Sequence, residues 1–128
     1  MVEAMNDFAF VATGICGAQL LKQHGAPACL VVPWKYGYKS PKSIVQVVLT
    51  TEESSTFWQI QPHEYGFVSN VNSNIPHPRW NRGTSYWLDT GALFDTPIFN
   101  GYEEQVAHLY PDEPRSLQRP LARGERAR

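Results

Sequence analysis

The alternation of hydrophobic and polar positions predicts short strands joined by long irregular segments. The run Ile44–Thr51 (IVQVVLTT) is the clearest predicted strand, because it is rich in β-branched residues and bounded by Ser43 and by Glu52. The apolar run Phe8–Val11 predicts a short buried strand or a tight turn. Cys29–Val32 (CLVV) is wholly apolar and stops at a proline, which predicts a strand buried on both faces.

Between these runs the sequence predicts turns and loops. Gln23–Pro27 (QHGAP) is expected to form a polar turn, since glycine permits positive φ and proline fixes φ. The segment Trp34–Lys39 (WKYGYK) alternates aromatic and lysine side chains around a glycine, which predicts an irregular, partly exposed segment. Pro62–Arg82 is rich in proline, asparagine, serine and glycine and predicts a long ordered loop. Four polar side chains are expected to hydrogen-bond this loop in place: Asn70, Asn72, His77 and Arg79.

The C-terminal half predicts little regular structure. A helix is expected to start near Thr56–Ile60, and Trp87–Phe99 is expected to hold one short strand. Gly101–Tyr110 (GYEEQVAHLY) predicts a helix, with its apolar side chains on one face and two glutamates in the first turn. Residues 111–128 carry five arginines and three prolines but only two large apolar side chains, which predicts a disordered tail. The expected organisation is one domain over residues 1–110 followed by this tail.

Composition narrows the possible functions. The formal net charge of −1 gives no basic footprint for nucleic acid, so no nucleic-acid partner is expected. No apolar run reaches the roughly 18 residues of a membrane span, and the acidic N-terminus does not resemble a signal peptide. The two cysteines, Cys16 and Cys29, form no CxxC unit, so a zinc site has little support. They are expected to be small, buried apolar residues, with a single bridge between them as the alternative.

Two features suggest chemistry. Ser40, Pro41, Lys42 and Ser43 follow two nearby lysines, and hydroxyls, main-chain N–H groups and ammonium groups in one turn can hold a phosphate or another anion. A solvated basic loop is the plainer interpretation of the same residues. His24 in the QHGAP turn is a candidate ligand, although a lone histidine in such a turn is more often structural. The four histidines show no HxH or HExxH spacing, which argues against a zinc hydrolase.

Three blocks of sequence carry a family resemblance. They run in the order QHGAP to CLVVPWKYGYKSPKSIVQVVLT, then EYGFVSNVNSNIPHPRW, then FNGYEEQVAHLY. Over residues 3–110 the chain resembles the C-terminal portion of the catalytic subunits of bacterial protein-methionine-sulfoxide reductases, which are molybdopterin-dependent members of the sulfite-oxidase family. The resemblance implies an α+β fold: the β-rich, loop-rich C-terminal part of a sulfite-oxidase-type molybdopterin-binding domain.

The resemblance also implies cofactor-binding residues. His24 matches the first position of a turn that contacts the cofactor in the family. Cys29 stands where the family has an arginine, and it lacks the charge and the forked donors that suit a phosphate, so weakened cofactor binding is expected. Ser40, Pro41 and Lys42 match the Ser-x-Lys that binds the pterin in the family. We expect no catalytic residue and no metal ligand in this chain, because the family's molybdenum-ligating cysteine lies upstream of the matched region.

The implied function is that of part of a Mo-molybdopterin oxidoreductase that reduces methionine sulfoxide in oxidised proteins. The implied electron donor is a haem-containing membrane subunit, and the implied location is the periplasm. Without the cysteine-bearing half, the isolated chain is expected to be inactive.

Two alternatives stay open. One is a sulfite-oxidising relative, because the cofactor-binding turn does not fix the substrate. The other is an inert truncated remnant, which the early start at Met1, the cysteine at position 29 and the arginine-rich tail all favour.

Overall fold

The computed structural model describes residues 1–61 and 64–114, and its regular elements are all short. The chain divides into two compact units, Met1–Asn70 and Val71–Arg128. None of the helices in the described ranges is long and apolar enough to cross a membrane. The disordered tail predicted for residues 111–128 lies outside the described residues from position 115 onwards.

The first unit contains two small antiparallel sheets. Its strands are β1 (Phe10–Ala12), β2 (Gly14–Ile15), β3 (Ala18–Gln19) and β4 (Cys29–Val31). Strands β1 and β4 pair with Phe10 opposite Val31. Strands β2 and β3 form a hairpin whose two turn residues, Cys16 and Gly17, both have positive φ, as the favoured two-residue hairpin turn requires. Both cysteines are free thiols, but their predicted burial is wrong, because Cys16 is exposed in the hairpin turn and Cys29 is only half-buried.

The predicted strands around β1 and β4 are confirmed, but their predicted burial is wrong. Phe10 and Val11 are exposed, and the three residues of β4 are only half-buried. The prediction for Trp34–Lys39 is also partly wrong. Trp34 is fully buried, Lys35 is nearly so, and Gly37–Lys39 forms a short 3-10 helix. Three further 3-10 helices complete the unit: Glu3–Met5, Lys22–His24 and Phe57–Ile60.

The strand predicted for Ile44–Thr51 does not form. Val45 is 88% exposed and Leu49 is 79% exposed. Among the described residues, no main-chain group hydrogen-bonds to residues 45–49. β-Propensity reflects how well a side chain fits a pleated, half-buried surface, so it produces a strand only where a neighbouring strand is available. The sequence pattern indicated a strand, and the described residues of this unit supply no partner for it.

The second unit contains one hairpin and a short helical segment. Strand β5 (Thr84–Tyr86) pairs with β6 (Leu93–Asp95), and the ring of Trp87 stacks on Phe94 at 4.6 Å between centroids. The single strand predicted within Trp87–Phe99 is confirmed as β6, while its partner β5 was not predicted. The predicted helix at 101–110 is confirmed as α1 (Glu103–Val106) followed by a 3-10 turn at Ala107–Leu109.

The core of the second unit forms around Phe99. Phe99 and Val106 are fully buried, and Phe99 lies at positive φ in the turn Ile98–Gly101. The main-chain N–H of Phe99 donates to the Val71 carbonyl (2.6 Å), and the ring stacks on Tyr110. Tertiary packing therefore decides this turn, because sequence spacing alone gives no indication of a left-handed phenylalanine.

The long loop predicted for Pro62–Arg82 is confirmed over its described residues, 64–82. No helix or strand interrupts them, apart from an isolated bridge between Lys35 and Asn70. Asn72 is buried and donates to the Glu113 carboxylate (2.7 Å) and to the Pro114 carbonyl (2.9 Å). His77 Nδ1 accepts the main-chain N–H groups of residues 79 and 80. The predicted structural role of these polar side chains is therefore confirmed for Asn72 and His77.

Candidate functional site

A tight turn places the first group of predicted site residues. The 3-10 helix Lys22–His24 ends at Gly25, whose φ of 100° is a left-handed conformation that glycine adopts readily. The main-chain N–H of Gly25 donates to the Lys22 carbonyl (3.1 Å), and that of Ala26 donates to the Leu21 carbonyl (3.2 Å). The turn therefore reverses the chain and directs it into β4, as the QHGAP sequence predicted.

The segment Pro41–Ile44 lies directly against this turn. The N–H of Leu30 donates to the Pro41 carbonyl (3.0 Å), the N–H of Ser43 to the Gly25 carbonyl (3.0 Å), and the N–H of Ile44 to the Ala28 carbonyl (2.9 Å). These three bonds bring two segments that are separated in sequence into side-by-side contact. The predicted site residues of both segments therefore lie in one region of the first unit.

The contact is close because residue 25 is a glycine. A Cβ atom at Gly25 would lie 2.6 Å from Cys29 Sγ and 2.7 Å from Lys42 Cβ, both shorter than side-chain atoms tolerate. The Cys29 thiol donates weakly to the carbonyls of His24 and Gly25, at 3.4 and 3.3 Å. Cys29 and Lys42 thus both pack against the position that a Cβ atom at residue 25 would occupy.

The remaining predicted residues lie at the border of this contact. His24 is exposed, and its Nε2 lies 3.4 Å from Gln23 Nε2. Ser40 is half-buried at the end of the Gly37–Lys39 helix, while Pro41 and Lys42 are exposed. Within the described ranges, no hydrogen bond joins His24 to Ser40 or to Lys42. The structure brings Lys42 and Cys29 together around the turn, and the binding roles of all five residues stay predictions.

A second polar cluster was not predicted from the sequence. We call it the lysine cluster, and it consists of Glu3, Lys35, Val68 and Asn70. Lys35 is only 7% exposed, and its ammonium group contacts the Glu3 carboxylate (2.8 Å), the Val68 carbonyl (2.7 Å) and the Asn70 side-chain oxygen (3.3 Å). A buried ammonium needs such partners, because the loss of hydration is otherwise very costly.

The position of the lysine cluster gives it a structural role in the site region. The N–H of Tyr36 donates to the Ser69 carbonyl (3.0 Å), which extends the bridge between Lys35 and Asn70. Lys35 therefore ties the segment that leads to Ser40 and Lys42 both to the loop around Asn70 and to the N-terminal turn that carries Glu3. In the sequence, only the neighbouring Trp34 indicates that Lys35 lies close to the core. A neighbouring tryptophan does not reveal partners that lie more than thirty residues away.

Aromatic side chains pack beside this segment. The ring of Tyr38 lies 5.0 Å from Tyr65, edge to face, and 5.9 Å from Trp58. The Tyr38 hydroxyl makes a short hydrogen bond with Ser69. Lys39 Nζ lies 4.3 Å from the centre of the Phe67 ring, within cation–π range. These contacts hold the Gly37–Lys39 helix in place, and that helix ends at Ser40.

The donor set of the region suits an anion better than a metal. Lys42 presents an exposed ammonium, and Ser40 and His24 add a hydroxyl and an imidazole. No cluster of three or more histidine, cysteine, aspartate or glutamate side chains able to hold a metal ion occurs in residues 1–61 and 64–114. The described residues can therefore contribute charge and hydrogen bonds to a phosphate-bearing group.

Comparison with known proteins gives two matches that cover this region. Residues 1–58 match the family described as the oxidoreductase molybdopterin binding domain. The chain is also 50% identical over 113 residues to the protein-methionine-sulfoxide reductase catalytic subunit of Pseudomonas syringae pv. tomato. That match covers 84% of the chain and 34% of the relative, so the chain spans about a third of the relative's length.

The two matches agree with the resemblance in the sequence blocks. The family match includes the Gly25 turn, strand β4 and the segment Pro41–Ile44, which are the parts that the structure brings together. The observed short sheets and long loops agree with a β-rich, loop-rich part of such a domain. Over residues 1–58 the chain is therefore similar to the oxidoreductase molybdopterin binding domain, and over most of its length it is similar to a catalytic subunit of protein-methionine-sulfoxide reductase.

Proposed function

We propose that the chain forms the pterin-phosphate-binding part of a sulfite-oxidase-type molybdenum oxidoreductase that reduces methionine sulfoxide in proteins. The observation that carries the proposal is the 50% identity over 113 residues with a relative whose name states this activity. The match of residues 1–58 to a molybdopterin-binding domain supports the cofactor. Because the chain spans 34% of that relative, the activity belongs to a complete protein and not to these residues alone.

The geometry around Gly25 supports an anion-binding role. The Cβ of Lys42 packs against Gly25, in the turn that carries His24, and the Lys42 residue is exposed, so its ammonium is accessible to an anion. Ser40, two residues earlier, is half-buried at the end of the Gly37–Lys39 helix and adds a hydroxyl to the same segment. An ammonium with neutral donors beside it forms the short, charge-assisted hydrogen bonds that a phosphate accepts. Cys29 adds no charge there, which is the reason for expecting weaker affinity than an arginine would give.

The reaction balances as a two-electron reduction. Methionine sulfoxide takes up two electrons and two protons, its S–O bond breaks, and methionine and water form. When bound, the molybdenum–pterin group supplies the oxygen-atom transfer chemistry. The residues of this chain hold and orient its pterin phosphate through His24, Ser40 and Lys42. We further propose that the electrons come from a haem-containing membrane subunit and that the complete protein works in the periplasm.

The experiment is a chimera in which residues 3–110 of this chain replace the matching region of the Pseudomonas syringae relative. Pterin bound per protein is measured by fluorescence after oxidative release. We expect Lys42→Ala to lower occupancy about tenfold at limiting cofactor, because one charge-assisted hydrogen bond contributes roughly 1.5–3 kcal/mol. Lys22→Ala, which also removes an exposed lysine, is the control. Cys29→Arg is expected to raise occupancy.

The same chimera separates the alternatives. If the chimera reduces methionine sulfoxide with a reduced dye as electron donor and does not oxidise sulfite, the proposed substrate is supported. Oxidation of sulfite instead would identify a sulfite-oxidising relative. An unaltered pterin content in Lys42→Ala would contradict the assigned binding residue, and a correctly folded chimera that binds no pterin would identify an inert remnant.

A further inference from the structure

An apolar groove runs along the first unit beside the predicted strand that does not form. It has a volume of about 770 Å³ and lies between the sheet of β1 and β4 and the extended chain after Pro41. Its walls are formed mainly by six apolar side chains: Phe10, Val11, Leu30, Ile44, Val45 and Val47. Four of these side chains, Phe10, Val11, Val45 and Val47, are each more than half exposed. Clustered exposed apolar side chains can mark a contact with another polypeptide or a ligand.

One wall of the groove also offers free main-chain hydrogen-bonding groups. We call Ile44–Leu49 the apolar run. It is anchored at its start by the bond from the Ile44 N–H to the Ala28 carbonyl. From Val45 to Leu49 no main-chain hydrogen bond to any described residue occurs. A run of β-favouring residues without proline or charge, whose main chain over residues 45–49 pairs with none of the described residues, is a template for adding a strand.

The family match indicates what covers this surface. Every residue that lines the groove lies within residues 1–58, the part that matches the molybdopterin-binding domain. The chain spans only 34% of the length of its relative, so a complete relative contains about twice as much further polypeptide. A surface that is apolar, unpaired and inside the matched domain has the chemistry of a domain interior.

We infer that the groove and the apolar run are an intradomain docking surface. Their occupant is an apolar β-strand from the part of the complete protein that this chain does not match, which pairs with the main chain of Val45–Leu49. This inference rests on the family assignment and on the geometry, and it does not depend on which substrate the complete protein reduces. The strand predicted from IVQVVLTT then forms only in the assembled domain.

The test is complementation between two polypeptides. The full 128-residue chain is co-expressed with the unmatched part of the Pseudomonas syringae relative, and the complex is examined by affinity capture and light scattering. We expect a 1:1 complex in which the amides of residues 45–49 become protected from hydrogen exchange.

Val47→Lys is expected to weaken binding about tenfold or more, because it places a charge in an apolar contact. Leu88→Lys, a fully exposed leucine in the second unit, is the matched control and should bind like the wild type.

A second variant tests the main-chain pairing separately. Gln46→Pro removes one N–H donor while the apolar side chains stay, and it too is expected to weaken the complex. Amide protection in β1 and β4 of each variant alone shows that the first unit is still folded. The inference is wrong if the two polypeptides form no complex, or if Val47→Lys binds as tightly as the wild type. It is also wrong if the chain forms a dimer with itself that Val47→Lys abolishes, since the occupant would then be a second copy. Pterin content is measured separately, so loss of complementation and loss of cofactor binding are distinguishable.

Discussion

The lysine cluster and the apolar run lie in the same unit and reverse the usual rule for burial. Lys35 carries a charge and is 7% exposed, whereas Val45 is an aliphatic residue and is 88% exposed. The difference is one of available partners. Lys35 finds a carboxylate, a carbonyl and an amide oxygen within 3.3 Å, while no described main chain pairs with residues 45–49.

This contrast shows which part of the fold is complete within the chain. The buried ammonium is satisfied by groups from positions 3, 68 and 70, so the chain itself supplies everything that its burial requires. The apolar run has the composition of a buried strand and lacks the neighbour that would bury it. Substitutions in the two regions should therefore differ strongly in their effect on the chain alone.

The largest effect is expected in the lysine cluster. Lys35→Met should lower the free energy of unfolding by about 2–4 kcal/mol, because the Val68 carbonyl and the buried Asn70 side chain lose their shared donor. Urea denaturation of the full chain, followed by tryptophan fluorescence, measures this. Glu3→Gln is the control with a smaller loss, about 1 kcal/mol or less, since the Glu3 side chain is 45% exposed. Equal losses in both variants would mean that the bonds from Lys35 to the Val68 carbonyl and the Asn70 side chain stabilise the fold no more than the ion pair with Glu3 does.

An intermediate effect is expected at Gly25, against which the segment Pro41–Ile44 packs. Gly25→Ala should destabilise the chain by roughly 1–3 kcal/mol, because its Cβ would meet Cys29 Sγ and Lys42 Cβ in addition to the left-handed φ. Gly17→Ala is the matched control. Gly17 also has positive φ, but a Cβ there meets nothing within 4 Å, so only the backbone strain of roughly 1 kcal/mol is expected. If both variants lose the same stability in thermal unfolding, the close contact around Gly25 is not needed.

The smallest effect is expected in the apolar run itself. Val47→Ser should alter the stability of the chain alone by less than about 0.5 kcal/mol, because the side chain is 77% exposed and has no burial to lose. Urea denaturation measures this free energy of unfolding. Val32→Ser is the comparison, because Val32 is buried and its substitution should lower the free energy of unfolding several times more. A large loss in Val47→Ser would mean that the run is buried in the free chain, and the contrast between the two regions would fail.

Local sequence predicted those features that depend on neighbouring residues. The QHGAP turn, the strand at Cys29 and the helical segment near Glu103 follow from glycine and proline chemistry and from short-range hydrophobic patterns. The similarity to molybdopterin-binding oxidoreductases also followed from the sequence, through blocks that resemble known relatives. The candidate residues of the site were chosen on the same basis, and their binding roles stay predictions.

Only the tertiary structure decided the features that depend on distant partners. The burial of Lys35 needed Val68 and Asn70, and the placement of Lys42 beside Cys29 needed a glycine at position 25 and main-chain bonds between two separate segments. The exposure of residues 45–49 likewise reflects a neighbour that the described chain does not provide. Backbone conformation is set by local sterics, but burial and strand pairing are properties of pairs of segments, and a sequence pattern describes only one member of each pair.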